Sequence, residues 1–148
     1  MKAKAGPPPK IEVRNLQRKI SIDVRGLRTF AQRAATRCLE LSAKRKTDLE
    51  TSREVSILIV SDRRMASLHR RFMNERGSTD VITFQHGEIF ISAETAARNA
   101  QRFGIQLNRE LRLYVVHGLL HLQGFDDRDP DTVGKMRAAE NKILRALN

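Results

Sequence analysis

Hydrophobic and polar positions follow patterns along the chain that predict four short strands. Apolar and polar side chains alternate over residues 11–15, which is typical of a strand. Residues 55–60 (VSILIV) form an unbroken apolar, β-branched run, which predicts a buried central strand. Two further strands are predicted at residues 81–84 and 88–91, joined by a tight hairpin that contains a glycine.

Apolar residues spaced three and four positions apart predict about five helices. Asp23, Ser92 and Asp129 each precede such a segment, and both residue types are favoured as helix N-caps. The predicted helices cover residues 24–41, 62–73, 93–104, 108–122 and 130–147. Residues 44–48 show no periodicity and are predicted to form a charged loop.

This order of elements predicts an α+β fold with a small mixed sheet of four strands. Strands separated by a crossover helix are expected to pair in parallel, and the two hairpin strands to pair antiparallel. Residues 1–10 include three consecutive prolines and are expected to form a disordered leader. Residues 11–148 have the length of one domain.

Cysteine content and hydropathy exclude several classes of protein. Cys38 is the single cysteine, so the chain has neither an intramolecular disulfide nor a Cys-based zinc knuckle. A reducing, cytoplasmic location fits this composition. No apolar run approaches the ~20 residues of a membrane-spanning helix, and no membrane partner is expected.

The net charge of +11 is concentrated in the first third of the chain, where residues 1–50 carry 13 basic and 5 acidic side chains. A localised positive excess favours a polyanionic partner such as nucleic acid, although a basic surface without a specific partner remains the alternative. The polar side of the first predicted helix supplies the candidate phosphate contacts, which are Arg25, Arg28, Arg33 and Arg37.

The helix predicted at residues 108–122 is apolar on almost every side, yet it carries His117 and His121. A spacing of four places both imidazoles on one face, within reach of a single ion. Gly124 can end the helix, and two aspartates follow shortly afterwards. Two imidazoles and a carboxylate with an open fourth position are typical of a hydrolytic zinc site, although another divalent ion such as nickel would also suit these ligands.

Three segments resemble the YbeY family of bacterial metal-dependent endoribonucleases. They are TDVITF (79–84), GEIFIS (87–92) and HGLLHLQGFDD (117–127), similar to the family's T-D-V-L-S-F, G-D-I-x-I-S and H-G-x-L-H-L-x-G-Y-D-H. The resemblance covers about residues 11–147 and implies an α+β fold. It also implies a zinc-type ion, cleavage of single-stranded RNA, maturation of the 16S ribosomal RNA 3′ end, and ribosome quality control.

The resemblance also assigns roles to individual positions. His117 and His121 match the first two metal ligands, and Asp127 stands where the family has a third histidine. The partners implied are single-stranded RNA, ribosomal RNA and the small ribosomal subunit, with no DNA. The metal-bound water is the expected nucleophile, with ribose 2′-OH attack as the other route. A family arginine falls on Met73, and neighbouring cations could replace it, namely Arg70, Arg71 and Arg76.

Two other functions are compatible with parts of this pattern. A metallopeptidase with an H-E-x-x-H motif needs a glutamate directly after the first histidine, but Gly118 occupies that position. A non-catalytic RNA-binding relative that has lost turnover would explain the changes at Met73 and Asp127.

Overall fold

The computed structural model describes residues 7–41, 43 and 45–148, and within these residues the chain forms an α+β fold, as predicted. The strands are β1 (Lys10–Asn15), β2 (Glu54–Val60), β3 (Val81–Phe84) and β4 (Glu88–Ser92). The helices are α1 (Val24–Leu39), α2 (Asp48–Thr51), α3 (Asp62–Met73), α4 (Ala93–Phe103), α5 (Leu107–Leu122) and α6 (Pro130–Ala146). None of these helices is long and apolar enough to cross a membrane.

The four strands form one mixed sheet in the order β1-β2-β4-β3. Strand β2 pairs in parallel with β1 and with β4, and Ile57 lies beside Val13 on one side and Ile89 on the other. Strand β3 pairs antiparallel with β4 only and therefore forms an edge of the sheet. The predicted central strand and the predicted mixture of pairings are confirmed.

The two faces of the sheet carry different layers of helices. Ile57 and Ile59 belong to the larger core, where α1 packs on β1 and α5 packs on β4 and β3. Leu58 and Val60 point to the smaller core under α3 on the opposite face. Helices α4 and α6 pack against α5. Each fully buried Ile or Val contributes about 1.5–3 kcal/mol, so both faces help hold β2 in the centre.

The predicted helix boundaries are set mainly by side-chain caps. Asp23, Ser92 and Asp129 each accept a backbone N–H of the following helix, which confirms all three predicted N-caps. The predicted start of α5 at Asn108 is wrong by one residue, since the helix begins at Leu107. No side-chain cap marks that start, so the residue type at this end gave no usable signal.

The prediction of a loop at residues 44–48 is wrong at its C-terminal end, where the one-turn helix α2 begins. Thr47 caps this helix by accepting the Glu50 N–H, and Leu49 is completely buried. A helix of four residues is too short to show a 3.6-residue period. Lys44, at the start of the predicted loop, lies outside the described residues.

The predicted leader is described only from Pro7 onward, because residues 1–6 lie outside the described residues. The carbonyl of Pro9 accepts a hydrogen bond from Gln32 Nε2 on α1. Strand β1 begins at Lys10, one residue earlier than predicted.

A single carboxylate ties α3 to α4 and to the segment before β3. Asp62 Oδ1 accepts hydrogen bonds from the hydroxyls of Ser78, Ser92 and Thr95, and Arg98 donates to Oδ2. Burial opposes ionisation of Asp62, but these donors outweigh it and hold the carboxyl pKa well below its usual range. The start of α3 is therefore fixed relative to both neighbouring elements.

Helix α5 approaches the sheet most closely at Gly118. A Cβ placed there would lie 2.7 Å from Cγ2 of Ile89 on β4, which is closer than two carbon atoms can pack. Gly134 on α6 provides a contrast, because a Cβ there would meet no atom within 4 Å. The glycine at position 118 is thus a packing requirement of the helix–sheet contact.

We expect Gly134→Ala to stabilise the protein and Gly118→Ala not to stabilise it. Alanine at 134 gains about 1 kcal/mol of helix propensity without a clash. At 118 the same gain is opposed by about 1–3 kcal/mol of overpacking, so the net effect is neutral to destabilising by about 2 kcal/mol. Urea denaturation of both variants measures the difference, and equal stabilisation at the two positions would contradict this packing argument.

Candidate metal centre

The candidate centre lies at the C-terminal end of α5, where two histidines leave an otherwise buried helix. Tyr114, Val115, Leu119 and Leu120 are all buried in the larger core. Because these neighbours fix the rotation of the helix, the half-buried side chains at positions 117 and 121 lie together on one face.

The imidazole rings of His117 and His121 converge on one point. Their Nε2 atoms lie 3.1 Å apart, and the ring planes are nearly perpendicular. Oδ2 of Asp127 lies 3.5 Å from Nε2 of His117 and 3.6 Å from Nε2 of His121. The structure thus brings together the three residues that the sequence analysis proposed as ligands.

Hydrogen bonds to the other ring nitrogens determine which nitrogens face this point. Nδ1 of His117 donates to Oε1 of Glu140 on α6 at 2.7 Å, and Nδ1 of His121 donates to the carbonyl of Phe125 at 3.2 Å. A carbonyl and a carboxylate can only accept, so each Nδ1 must carry a proton. In the neutral imidazoles both Nε2 atoms therefore present lone pairs to each other and to Asp127.

The turn after α5 explains why Asp127, rather than Asp126, joins the group. Gly124 adopts a left-handed φ of 96°, and the N–H of Phe125 donates back to the carbonyl of Leu120. This turn carries the chain back toward the helix. Asp126 instead accepts hydrogen bonds from the backbone and side chain of Arg128 and stabilises the turn.

The three converging atoms have the spacing that a zinc-type ion requires. Ligands at 2.0–2.2 Å from a tetrahedral ion lie about 3.3–3.6 Å from one another. The observed separations of 3.1, 3.5 and 3.6 Å agree with this within a few tenths of an ångström. Two imidazoles and one carboxylate also suit zinc chemically, so the donor set fits such an ion.

The protonation of the two histidines is coupled. Burial lowers the pKa of His117, but the hydrogen bond and charge of Glu140 outweigh burial and raise the pKa above its usual value. The pKa of His121 is lowered by burial and by the charge of His117. The pKa values of these two neighbouring imidazoles therefore shift in opposite directions.

Sequence reasoning missed two acidic residues that act on this group. Glu140 is a charged residue among the buried positions Met136, Ala139 and Ile143 of α6, and a charge on an apolar stripe indicates a buried partner. Asp80 precedes β3, and its charge also raises the pKa of His117. No local pattern marks Asp80 as a neighbour of α5, because only the tertiary fold brings them together.

The proposed basic residues lie elsewhere on the molecule. All seven are exposed, and within the described residues no hydrogen bond or ion pair connects any of them to the His/His/Asp group. The first set lies on α1, which packs at the β1 edge of the sheet, and comprises Arg25, Arg28, Arg33 and Arg37. The second set lies on or just after α3, on the sheet face opposite α5, and comprises Arg70, Arg71 and Arg76.

Comparisons with known proteins agree with the architecture. The family described as Endoribonuclease YbeY matches residues 12–148. Endoribonuclease YbeY of Thermobifida fusca is 36% identical over 108 residues, covering 62% of this chain and 70% of that relative. The Nautilia profundicola protein of the same name is 35% identical over 109 residues, covering 68% and 77% respectively.

A solved structure shows the same fold at lower sequence identity. The solution structure of TM1509 from Thermotoga maritima superposes with a TM-score of 0.64 at 22% identity, covering 93% of this chain and 88% of that one. Fold and site together define a small α+β protein with a candidate His/His/Asp metal centre. The match over residues 12–148 shows that the chain belongs to the YbeY family.

We expect Glu140→Gln to lower the pKa of His117 in the metal-free protein, because burial remains while the partner's charge is lost. A raised folded-state pKa stabilises the fold below the unfolded-state pKa, and this contribution disappears as pH rises through the folded-state value. The variant should therefore lose stability mainly at acidic pH. Histidine ¹H–¹⁵N NMR titration measures the pKa directly.

The matched control is Glu50→Gln, which removes an exposed carboxylate on α2. This variant should leave the His117 titration unchanged. An unchanged titration in Glu140→Gln as well would show that the hydrogen bond to α6 does not control the imidazole.

Proposed function

We propose that this chain is a metal-dependent endoribonuclease specific for single-stranded RNA. In this proposal residues 11–148 form one cytoplasmic catalytic domain. The substrate is ribosomal RNA of the small subunit, with roles in 16S 3′-end maturation and in ribosome quality control. Membership of a family described as Endoribonuclease YbeY supports the reaction class.

One observation carries the proposal: two imidazole lone pairs and a carboxylate oxygen point at a common position. Lone pairs 3.1 Å apart repel each other unless a cation lies between them. The Glu140 and Phe125 hydrogen bonds hold both rings in this arrangement. Such a preorganised donor set favours binding of a divalent metal ion, and imidazole with carboxylate suits zinc.

The chain's own residues would divide the work as follows. His117, His121 and Asp127 would hold the ion, which when bound supplies a Lewis acid and lowers the pKa of water. Glu140 keeps the proton of His117 on Nδ1, so that Nε2 stays available as a ligand. Asp127 is about half exposed, which leaves the open side of the group accessible to a phosphodiester.

Binding of the RNA backbone would depend on the basic residues outside the centre. The α1 arginines are exposed along one side of that helix, where they could contact phosphates of a long RNA. Arg70, Arg71 and Arg76 line one cleft on the surface, and they remain our candidates for cations that assist cleavage.

The peptidase alternative is poorly supported by the geometry around Gly118. The general base of such enzymes would have to occupy this position, yet even a Cβ there would overlap Ile89. The non-catalytic RNA-binding alternative differs from our proposal only in turnover. A fluorescent single-stranded RNA incubated with the purified protein, with and without a chelator, distinguishes the two.

We expect Asp127→Ala to lower metal affinity by more than the ~10–100-fold that loss of an outer-sphere partner costs. Cleavage of single-stranded RNA should fall in parallel, whereas Asp127→His should retain both properties, since imidazole is an equally suitable ligand. Metal content by plasma mass spectrometry and cleavage by gel electrophoresis provide the two measurements.

Asp126→Ala is the matched control, because this neighbouring carboxylate binds Arg128 rather than the group. It should lose much less metal than Asp127→Ala. Full metal retention by Asp127→Ala would sink the assignment of the third ligand, and metal binding without cleavage in the parent would favour the non-catalytic alternative.

We expect substitution of Arg25 and Arg28 by Gln to flatten the salt dependence of RNA binding. Each phosphate contact on a single strand contributes roughly 0.7 to the slope of log K against log salt, so two contacts contribute about 1.4. Arg102→Gln with Arg137→Gln, exposed arginines on α4 and α6, is the control. Equal slopes for all three proteins would place the RNA on another face.

A further inference from the structure

Three aromatic rings form an exposed cluster around the end of α3 and the β3–β4 hairpin. The imidazole of His86 stacks on Phe84 with ring planes 22° apart and centroids 5.7 Å apart. Phe72 meets Phe84 edge-to-face at 5.3 Å. Phe72 is 54% exposed, and the His86 side chain is 67% exposed. We call Phe72, Phe84 and His86 the aromatic surface.

The aromatic surface is held rigidly by the fold beneath it. Phe84 packs edge-to-face on Phe90, which is buried in the smaller core. The Gly87 N–H donates to the carbonyl of Phe84 and closes the hairpin turn, which sets the position of His86. Gly87 has a left-handed φ of 105°, and a Cβ there would lie 3.0 Å from the Glu54 carbonyl. Rings fixed in this way lose little entropy when they bind a ligand.

The charges around the aromatic surface are mainly positive, although the carboxylate of Glu88 is hydrogen-bonded to His86. The guanidinium of Arg71 lies 5.4 Å from the centroid of the Phe72 ring. Five arginines on α3 and in the segment after it make no ion pair within the described part of the chain, and these are Arg63, Arg64, Arg70, Arg71 and Arg76. By contrast, Arg98 and Arg128 pair with neighbouring carboxylates. Guanidinium groups without acidic partners favour a polyanionic ligand.

We propose that the aromatic surface stacks bases of single-stranded RNA while the neighbouring arginines bind its phosphates. This inference rests on the proposed function, which makes RNA the substrate class. Exposed rings beside cations are the features that bind unpaired nucleotides, since every base has a π-face and every nucleotide a phosphate. A duplex has its bases stacked internally, so this surface would select single strands.

Strand β3 connects the aromatic surface to the candidate metal centre. Val81 packs into the larger core with α5, whereas Ile82 and Phe84 pack into the smaller core with α3. The two sites therefore lie on opposite faces of one edge strand, whose outer side pairs with no other described strand. A strand of RNA that is bound at the aromatic surface and crosses this edge would continue toward the face that carries the candidate metal centre.

The test compares binding of a fluorescent oligoribonucleotide with binding of an abasic RNA of equal length, both in chelator so that no cleavage occurs. We expect Phe72→Ala with His86→Ala to weaken binding of the base-containing RNA by roughly 5- to 150-fold for each stacked base lost. Binding of the abasic RNA should not change, because the arginines remain. His86→Tyr should retain affinity, since it preserves a ring.

Phe103→Ala is the matched control, because Phe103 on α4 is 63% exposed and also lies under a guanidinium, that of Arg102. It should bind both RNAs like the parent. A double variant that binds both RNAs as tightly as the parent overturns the inference. A parent that discriminates by bases but never cleaves RNA contradicts the proposed function alone.

Discussion

The close contact of α5 with the sheet constrains every other part of the candidate centre. At Gly118 the helix backbone lies against Ile89, and the buried neighbours of α5 prevent it from rolling or sliding on β4. His117 flanks this contact, and His121 follows one turn later. Their direction is therefore set by the packing of the whole core. A larger residue at 118 would lift the helix and move both imidazoles together.

Packing of the helix alone does not orient the imidazoles. A spacing of four brings the rings near each other in any helix, but each ring could rotate to present either nitrogen. The orientation comes from two other elements, namely Glu140 on α6 and the Phe125 carbonyl in the turn after Gly124. In the proposed metal centre, binding of an ion would thus be coupled to the docking of α6, which would contribute to the site without supplying a ligand.

The features that were predictable from sequence are those with local causes. A cap such as Asp129 acts on backbone groups within one helical turn. The alternation of apolar and polar residues within a strand reflects the burial of one face of that strand. Both signals are local, so the order of helices and strands could be inferred from the sequence. The helix α2 has only one turn and so shows no periodicity, and the start of α5 at Leu107 has no side-chain cap. Neither feature could therefore be predicted from the sequence. The pairing of Glu140 with His117 joins positions 23 residues apart, and only assembly of two helices creates it.

The pairing of charged side chains is another feature that the composition of the chain does not reveal. The basic excess lies within residues 1–50, which drew attention to α1, yet Arg37 there pairs with Glu40. The segment from Arg63 to Arg76 has a smaller excess, but within the described chain none of its arginines forms an ion pair, and Arg71 lies beside the exposed ring of Phe72. The affinity of a surface for phosphates depends on charges that remain uncompensated after folding, rather than on the number of basic residues in a segment. Aromatic rings can add to the affinity for unpaired nucleotides by stacking on bases, and this effect does not depend on net charge. Which rings lie close together is known only from the folded structure.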